Sequence, residues 1–297
     1  MDVQLQTLIV DAFRYLSPLP HHSYLVIIDG LDECHDKATQ QSILQLLCET
    51  ITVHKLPLRF LIGSRPESHI RSSFDQESLY TITHRVVLDN TFNPGRDVRV
   101  FLLDGFAKIC AENPILSNVE QPWPSEGIID LLVQRSSGQF IYAATVVKFV
   151  SADFCSPKKQ LELVLKPDST AFSDLDQLYT QILSVYPSTV NIVQILGMMI
   201  AFDRNDLPEV IEDILGMEEG ELKLVLRGLL SLMDRNGEWL NKKLITYIIP
   251  HFAHASFREY LFDSSRSRLF HVNQQEYKNQ VTIRSFALIT QSIRFWK

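Results

Sequence analysis

The sequence predicts an α/β plus α fold: a partial, doubly wound parallel sheet, then a helical domain, then a winged-helix domain. Three observations carry this. Short apolar, β-branched runs alternate with amphipathic helical stretches as far as residue 92. From Asn93-Pro94-Gly95 onward the pattern is helical only. After residue 188, three helical stretches lead into the hairpin turn signal Asn236-Gly237 and a further helix, the ingredients of a winged helix.

Each element follows from its pattern. Leu5, Leu8, Ile9, Ala12, Phe13 and Leu16 fall at helical spacing, predicting a helix over 1–16 that Pro18 and Pro20 end. Tyr24 to Ile28 is a continuous apolar run before Asp29-Gly30 and reads as a strand buried on both faces, as in a parallel sheet. A helix over 37–53 turns Ile43, Leu44, Leu46, Leu47 and Ile51 inward, and Leu58 to Ile62 forms a second buried strand. A short helix at 67–73 and a third strand near 79–88 complete the first block, residues 1–92. Right-handed strand–helix–strand crossovers make that block doubly wound.

Helices over 96–112, 125–136, 139–152 and 174–186 make the helical domain, residues 93–187. In the last, Leu175, Leu178, Tyr179, Ile182, Leu183 and Tyr186 form one stripe, and Ser173 with Asp176 forms a capping box. Helices at 188–202, 207–215 and 219–233, strands near 238–241 and 244–250, and a helix at 254–262 make the third block, residues 188–272. Residues 273–297 read as the start of a C-terminal helical region.

Composition narrows the function. Of 297 residues 45% are hydrophobic and 21% charged, which is globular. Lys+Arg is 28 against 35 Asp+Glu, a net charge of -7, so the overall field does not favour nucleic acid or anionic membranes. Glu218, Glu219, Glu221 and Asp234 against Lys223, Arg227 and Arg235 do not suit a DNA recognition helix. The 4 cysteines, Cys34, Cys48, Cys110 and Cys155, form no CxxC pair, arguing against a disulfide framework or zinc ribbon. The apolar stretches are too short for a membrane helix, and the start is not a signal peptide, so a cytoplasmic location is expected.

The chemistry gathers at Leu25-Val26-Ile27-Ile28-Asp29-Gly30-Leu31-Asp32-Glu33-Cys34. A buried strand delivers Asp29 to its carboxyl end, where open α/β sheets bind ligands. Asp32 and Glu33 follow, and carboxylates this close repel unless a positive group compensates. Mg²⁺ carrying a nucleotide supplies that compensation, one carboxylate holding it through water and another activating water for attack on phosphate. A solvated acidic turn before a helix is the other reading. Phe60-Leu61-Ile62-Gly63-Ser64-Arg65-Pro66 places Arg65 at a neighbouring strand end, facing a terminal phosphate or pairing with Asp29, Asp32 or Glu33. His254 opens an apolar helix. By itself it reads as a core histidine with a satisfied hydrogen bond, and HxxH with His251 lacks the partners of a zinc site.

VIIDGLDEC followed by FLIGSRPE resembles the Walker B and sensor strands of NACHT-type (STAND) P-loop NTPases, most of all the nephrocystin-like versions abundant in fungi. Ser136 to Thr145 and Asp174 to Leu183 are similar to the family's helical-domain motifs, and Phe252 to Leu261 resembles its winged-helix signature. The resemblance implies that Asp29 is the Mg²⁺-associated Walker B aspartate. Asp32 and Glu33 would be the extended acidic pair, one of them the catalytic base. Arg65 would be the sensor arginine, and His254 the histidine that reads the β-phosphate in the closed state. ATP or ADP with Mg²⁺ would be the cofactor of a signal-transduction switch that opens and self-associates.

One part of that family pattern is missing. GxxxxGK[ST], whose backbone N–H groups and lysine cradle phosphates, does not occur in the 297 residues. The resemblance implies a member truncated before Walker B, without the loop's strand beside Tyr24–Ile28, leaving an apolar strand edge. Tight nucleotide binding is then expected to be lost. The alternative from another class is a non-enzymatic interaction or decoy module that binds full-length relatives, or a truncated product without function.

Overall fold

The structure is a computed structural model. It describes residues 7, 10–14, 22–34, 36–117, 119–152, 155–167, 171, 173–185, 189–201, 208–234, 251–252, 254–280 and 282–283. The chain divides into two compact units, residues 1–88 and 89–297. Within the helix expected over 1–16, the described residues are 7 and 10–14, and Asp11–Arg14 form α1. Of the strands expected at 238–241 and 244–250, both lie outside the described residues, as does the Asn236-Gly237 turn.

In the first unit, β1 (Tyr24–Ile28) runs parallel to β2 (Leu58–Ile62), with Tyr24 opposite Leu58 and Ile28 opposite Ile62. Between them lies α2 (Lys37–Thr52), capped by Asp36, whose side chain accepts from Thr39 N at 2.7 Å. α3 (Ser68–Phe74) and α4 (Glu77–Tyr80) follow. The strand period sorts the side chains. Val26 and Phe60 pack with Val10, Leu56, Leu58 and Phe13, and Ile62 packs with Leu31, Leu44, Cys48, Ile70 and Leu79.

Two expectations fail here. The strands are not buried on both faces: Leu25, Ile27 and Leu61, on the alternate positions, are 60%, 66% and 57% exposed. A continuous apolar run carries no alternation to say which face is covered, and among the described residues of this unit only one is. The third strand near 79–88 is also absent. The chain makes the short helix α4, whose Leu79 is buried in the cluster around Leu31, and Cys48 Sγ donates to Ser78 O. Residues 83–88 are irregular, with Val86, Val87 and Leu88 exposed. An apolar run becomes a strand only when a neighbour pairs its backbone. Among the described residues the sheet therefore has two strands and is not doubly wound.

The second unit is helical. α5 (Pro94–Glu112) buries Val98, Leu102, Phe106 and Ile109 at spacings of four, four and three. It packs on α6 (Glu126–Ser136) and α7 (Phe140–Val150), and Trp123 meets Phe106 edge-on at 5.7 Å. α8 (Pro157–Leu165) was not expected from the sequence. Its last carbonyls, Val164 O and Leu165 O, accept from the Arg135 guanidinium at 2.9 and 3.3 Å, a cation placed where the helix dipole favours one. α9 (Asp174–Leu183) opens as expected, with Ser173 Oγ accepting from Asp176 N at 3.1 Å. The capping box closes only on that side, because the Asp176 carboxylate turns instead to Arg266.

α10 (Thr189–Ala201), α11 (Pro208–Leu215) and α12 (Glu221–Leu229) follow. Buried Glu212 of α11 accepts from Leu222 N at 3.0 Å and so satisfies a free donor at the start of α12. After a 3₁₀ turn, β3 (Met233–Asp234) pairs antiparallel with β4 (His251–Phe252), bracketing residues 235–250. α13 (Ala255–Phe262) and α14 (Ser264–Ser267) come next, and residues 274–280 are helical. One core runs through this unit, from Val98 to Tyr277.

Candidate functional site

Because β1 and β2 are in register, both strands end at one level. Gly63 N donates to Ile28 O at 2.7 Å, and Leu31 N donates to Gly63 O at 3.1 Å, so the two exits stay joined. Gly30 then takes φ 71° and ψ 42°, left-handed backbone that glycine enters without cost, and the chain turns into the 3₁₀ segment Leu31–Glu33. Leu31, fully buried, pins that turn to the core. A Cβ on Gly63 would lie 2.6 Å from Asp29 Oδ1, so the bare second strand end is what lets the Asp29 carboxylate lie there.

The acidic turn is neutralised from within the unit. Asp32 Oδ1 accepts from Arg65 N at 2.9 Å and from Ser64 Oγ at 3.2 Å, and Asp32 Oδ2 stands 3.5 Å from Arg65 Nε. The Asp32 side chain is 9% exposed and that of Arg65 39%, so the pair points outward through its cation. The carboxylate-bearing residues Asp29 and Glu33 are exposed. Arg65 is paired with Asp32. The compensation that three close carboxylates need is thus partly internal.

Two residues behind the turn escaped the sequence reading. Gln40 Nε2 donates to Asp32 O at 3.0 Å and to Cys34 O at 2.9 Å, holding the turn from α2. Its Oε1 accepts from His69 Nε2, so that nitrogen carries the proton, and His69 Nδ1 is buried without a partner. The signal was present: Gln40 lies four residues before Leu44 and eight before Cys48, a polar side chain on a core stripe.

His254 belongs to the second unit. It is the N-cap of α13, its Nδ1 accepting from Ser256 N at 3.1 Å and standing 2.7 Å from Ser256 Oγ. Ser256 Oγ is in turn 2.8 Å from Tyr179 OH. The satisfied-hydrogen-bond reading of His254 therefore describes one side of its ring. Four of the sequence-derived residues, Asp29, Asp32, Glu33 and Arg65, meet at one pair of strand ends, and the fifth has its own setting.

As a metal site the turn is incomplete on its own. Among the described residues no group of three His, Cys, Asp or Glu side chains is placed to hold a metal. Asp32 already spends its oxygens on Arg65 and Ser64. Asp29 and Glu33 remain exposed residues whose carboxylates are the oxygen donors a hard cation takes. No helix among the described residues is long and apolar enough to cross a membrane.

A family model described as Nephrocystin 3, N-terminal, matches residues 2–65. The matched stretch contains β1, the acidic turn, α2 and β2, and it ends at Arg65. Over that stretch, well under half the chain, the protein is similar to the nephrocystin family. No curated protein and no solved structure matches the chain.

Proposed function

We propose that this chain is part of a NACHT-type, nucleotide-dependent signalling switch of the nephrocystin-like kind, controlled by ATP and ADP with Mg²⁺. The observation that carries the reading is the Asp32–Arg65 contact at the aligned carboxyl ends of two parallel strands, beside the exposed residues Asp29 and Glu33. An open α/β sheet presents ligands at that place. The similarity of residues 2–65 to the nephrocystin family supports the same reading.

In this account Asp29 would be the residue that holds Mg²⁺, and Asp32 or Glu33 the one that orients the attacking water. Arg65, paired with Asp32, would face the terminal phosphate. Bound Mg²⁺ would neutralise phosphate charge. The order α10, α11, α12, β3–β4 ladder, α13 supports a winged-helix reading of residues 188–272.

The 297 residues contain no GxxxxGK[ST], the loop whose backbone N–H groups and lysine cradle phosphates. The test is ATP binding and turnover by this chain alone and by the chain supplied with a GxxxxGK[ST] segment of a full-length relative. The reading expects no micromolar binding alone, and, with the loop supplied, Mg²⁺-dependent turnover that Glu33→Gln or Asp32→Asn abolishes. Micromolar, Mg²⁺-dependent ATP binding by the chain alone overturns it, as does no binding with the loop supplied.

A second reading, an interaction or decoy module, is favoured by the exposed Leu25, Ile27 and Leu61 on the β1–β2 face. It expects the chain to co-purify with full-length relatives without turnover. Absence of that association counts against it.

A further inference from the structure

The hydrogen bonds around His254 assign its protons. Ser256 N is a backbone donor and has nothing to accept with, so His254 Nδ1, 3.1 Å away, must be the acceptor. The same nitrogen is 2.7 Å from Ser256 Oγ, which is 2.8 Å from Tyr179 OH. With Nδ1 accepting, the Ser256 hydroxyl gives its proton to that nitrogen, which leaves the buried Tyr179 OH as the donor to Ser256 Oγ. The proton directions then run one way: Tyr179 OH to Ser256 Oγ, and Ser256 Oγ–H to His254 Nδ1. A proton on Nδ1 would set N–H against N–H at the cap.

We infer that Ser256 and Tyr179 are positioning residues that hold neutral His254 as its Nε2–H tautomer, making the ring nitrogen turned away from the cap a hydrogen-bond donor. The backbone cap and the Tyr179–Ser256 relay act on the same atom, and the other nitrogen takes the proton by necessity. The matching ligand atom is an oxygen acceptor without a proton of its own. On the nucleotide-switch reading, on which this last step rests, that atom is a phosphate oxygen. A histidine held this way donates without carrying a net charge into the site.

The test is the imidazole nitrogen spectrum of the ¹⁵N-labelled chain at mildly alkaline pH, with His254→Gln used to assign the signal. The expected result is a His254 ring with Nε2–H in excess over Nδ1–H by roughly fivefold or more, what one hydrogen bond of ordinary net strength supplies. In Ser256→Ala and Tyr179→Phe that excess shrinks toward the free-imidazole ratio, and Ser256→Thr, which keeps the hydroxyl, restores it. Tyr179→Phe preserves the ring packing and reads the relay even where Ser256→Ala loosens α13. An Nδ1–H ring in the wild-type chain, or a ratio that neither variant moves, overturns the inference. Mg²⁺–ADP binding is measured separately, so a failed nucleotide reading leaves a locked tautomer in place, and a wrong tautomer leaves the binding result in place.

Discussion

Replacing Arg266 with leucine is expected to be the most damaging single change to the second unit outside its apolar core. Asp176, in the first turn of α9, is 3% exposed at its side chain, and Arg266 of α14 meets it with two bonds: Nη2 to Oδ1 at 2.7 Å and Nε to Oδ2 at 3.1 Å. These bonds, against an opposing desolvation, raise the guanidinium above its usual range. Without Arg266 the carboxylate stays buried with no cation on it. Stranding one partner of a buried pair costs about 3–5 kcal/mol. In a unit the size of residues 89–297 each kcal/mol moves Tm by about 2–4 °C, so a drop of about 6–20 °C is expected. The double variant Asp176→Leu/Arg266→Leu removes the stranded charge and is expected to lose only about 1 kcal/mol, because apolar replacements of a buried pair are near neutral. Urea denaturation followed by tryptophan fluorescence is the assay, since Trp123, Trp239 and Trp296 all lie within residues 89–297. A single variant that loses under about 1 kcal/mol, the range of a surface pair, refutes the reasoning. So does a double variant as unstable as the single.

Three further outcomes follow from the same unit. Gly197→Ala in α10 should destabilise by about 1 kcal/mol, because a Cβ there lies 2.5 Å from the Tyr277 ring and overpacking, about 1–3 kcal/mol, outweighs the helix-propensity gain of about 1; a more stable variant in a urea melt would sink the close approach. Ser173→Ala should lose about 1 kcal/mol with the α9 cap, and Ser173→Asp should regain most of it; equal stability of all three chains would show that the cap is idle. Burial pushes the hydroxyls of Tyr142, Tyr179 and Tyr260 from 10.0 up to about 12. The unfolded chain then releases these protons first, so this part of the stability is whole below pH 10 and is lost as pH rises toward about 12. An alkaline spectrophotometric titration in which all tyrosines ionise together near 10 without unfolding would contradict it.

How far the sequence could be read depended on whether the deciding force was local. β2 falls at Leu58–Ile62 and β1 at Tyr24–Ile28, where apolar runs end in turn residues. α9 starts at its serine cap, because capping is settled by side chains three residues apart. The third strand and the two buried faces failed for the opposite reason: strand pairing and sheet coverage are decided by chain far away, and an apolar run says nothing of either. α8 was legible but overlooked, since Ser156-Pro157 with Leu161 and Val164 is a serine at the cap position, proline in the first turn and an inward pair. At the candidate site, the order Asp29, Asp32, Glu33 and then Arg65 was plain. That Arg65 meets Asp32 was not, because that depends on the Gly30 turn and on Gln40 holding it from α2. The commitment of His254 Nδ1 to its cap was hidden too, since Tyr179 is 77 residues away from the serine it bonds.

The central claim is that the turn between Asp29 and Cys34, with Gly63 to Arg65, faces a nucleotide. The most direct measurement is a backbone amide spectrum of the ¹⁵N-labelled chain titrated with Mg²⁺–ADP. The account predicts weak saturation, on the order of 1 mM, with first-unit shifts confined to residues 29–34 and 63–65 and lost in Arg65→Ala. Shifts elsewhere in that unit, or none at those strand ends at several times that concentration, would contradict it.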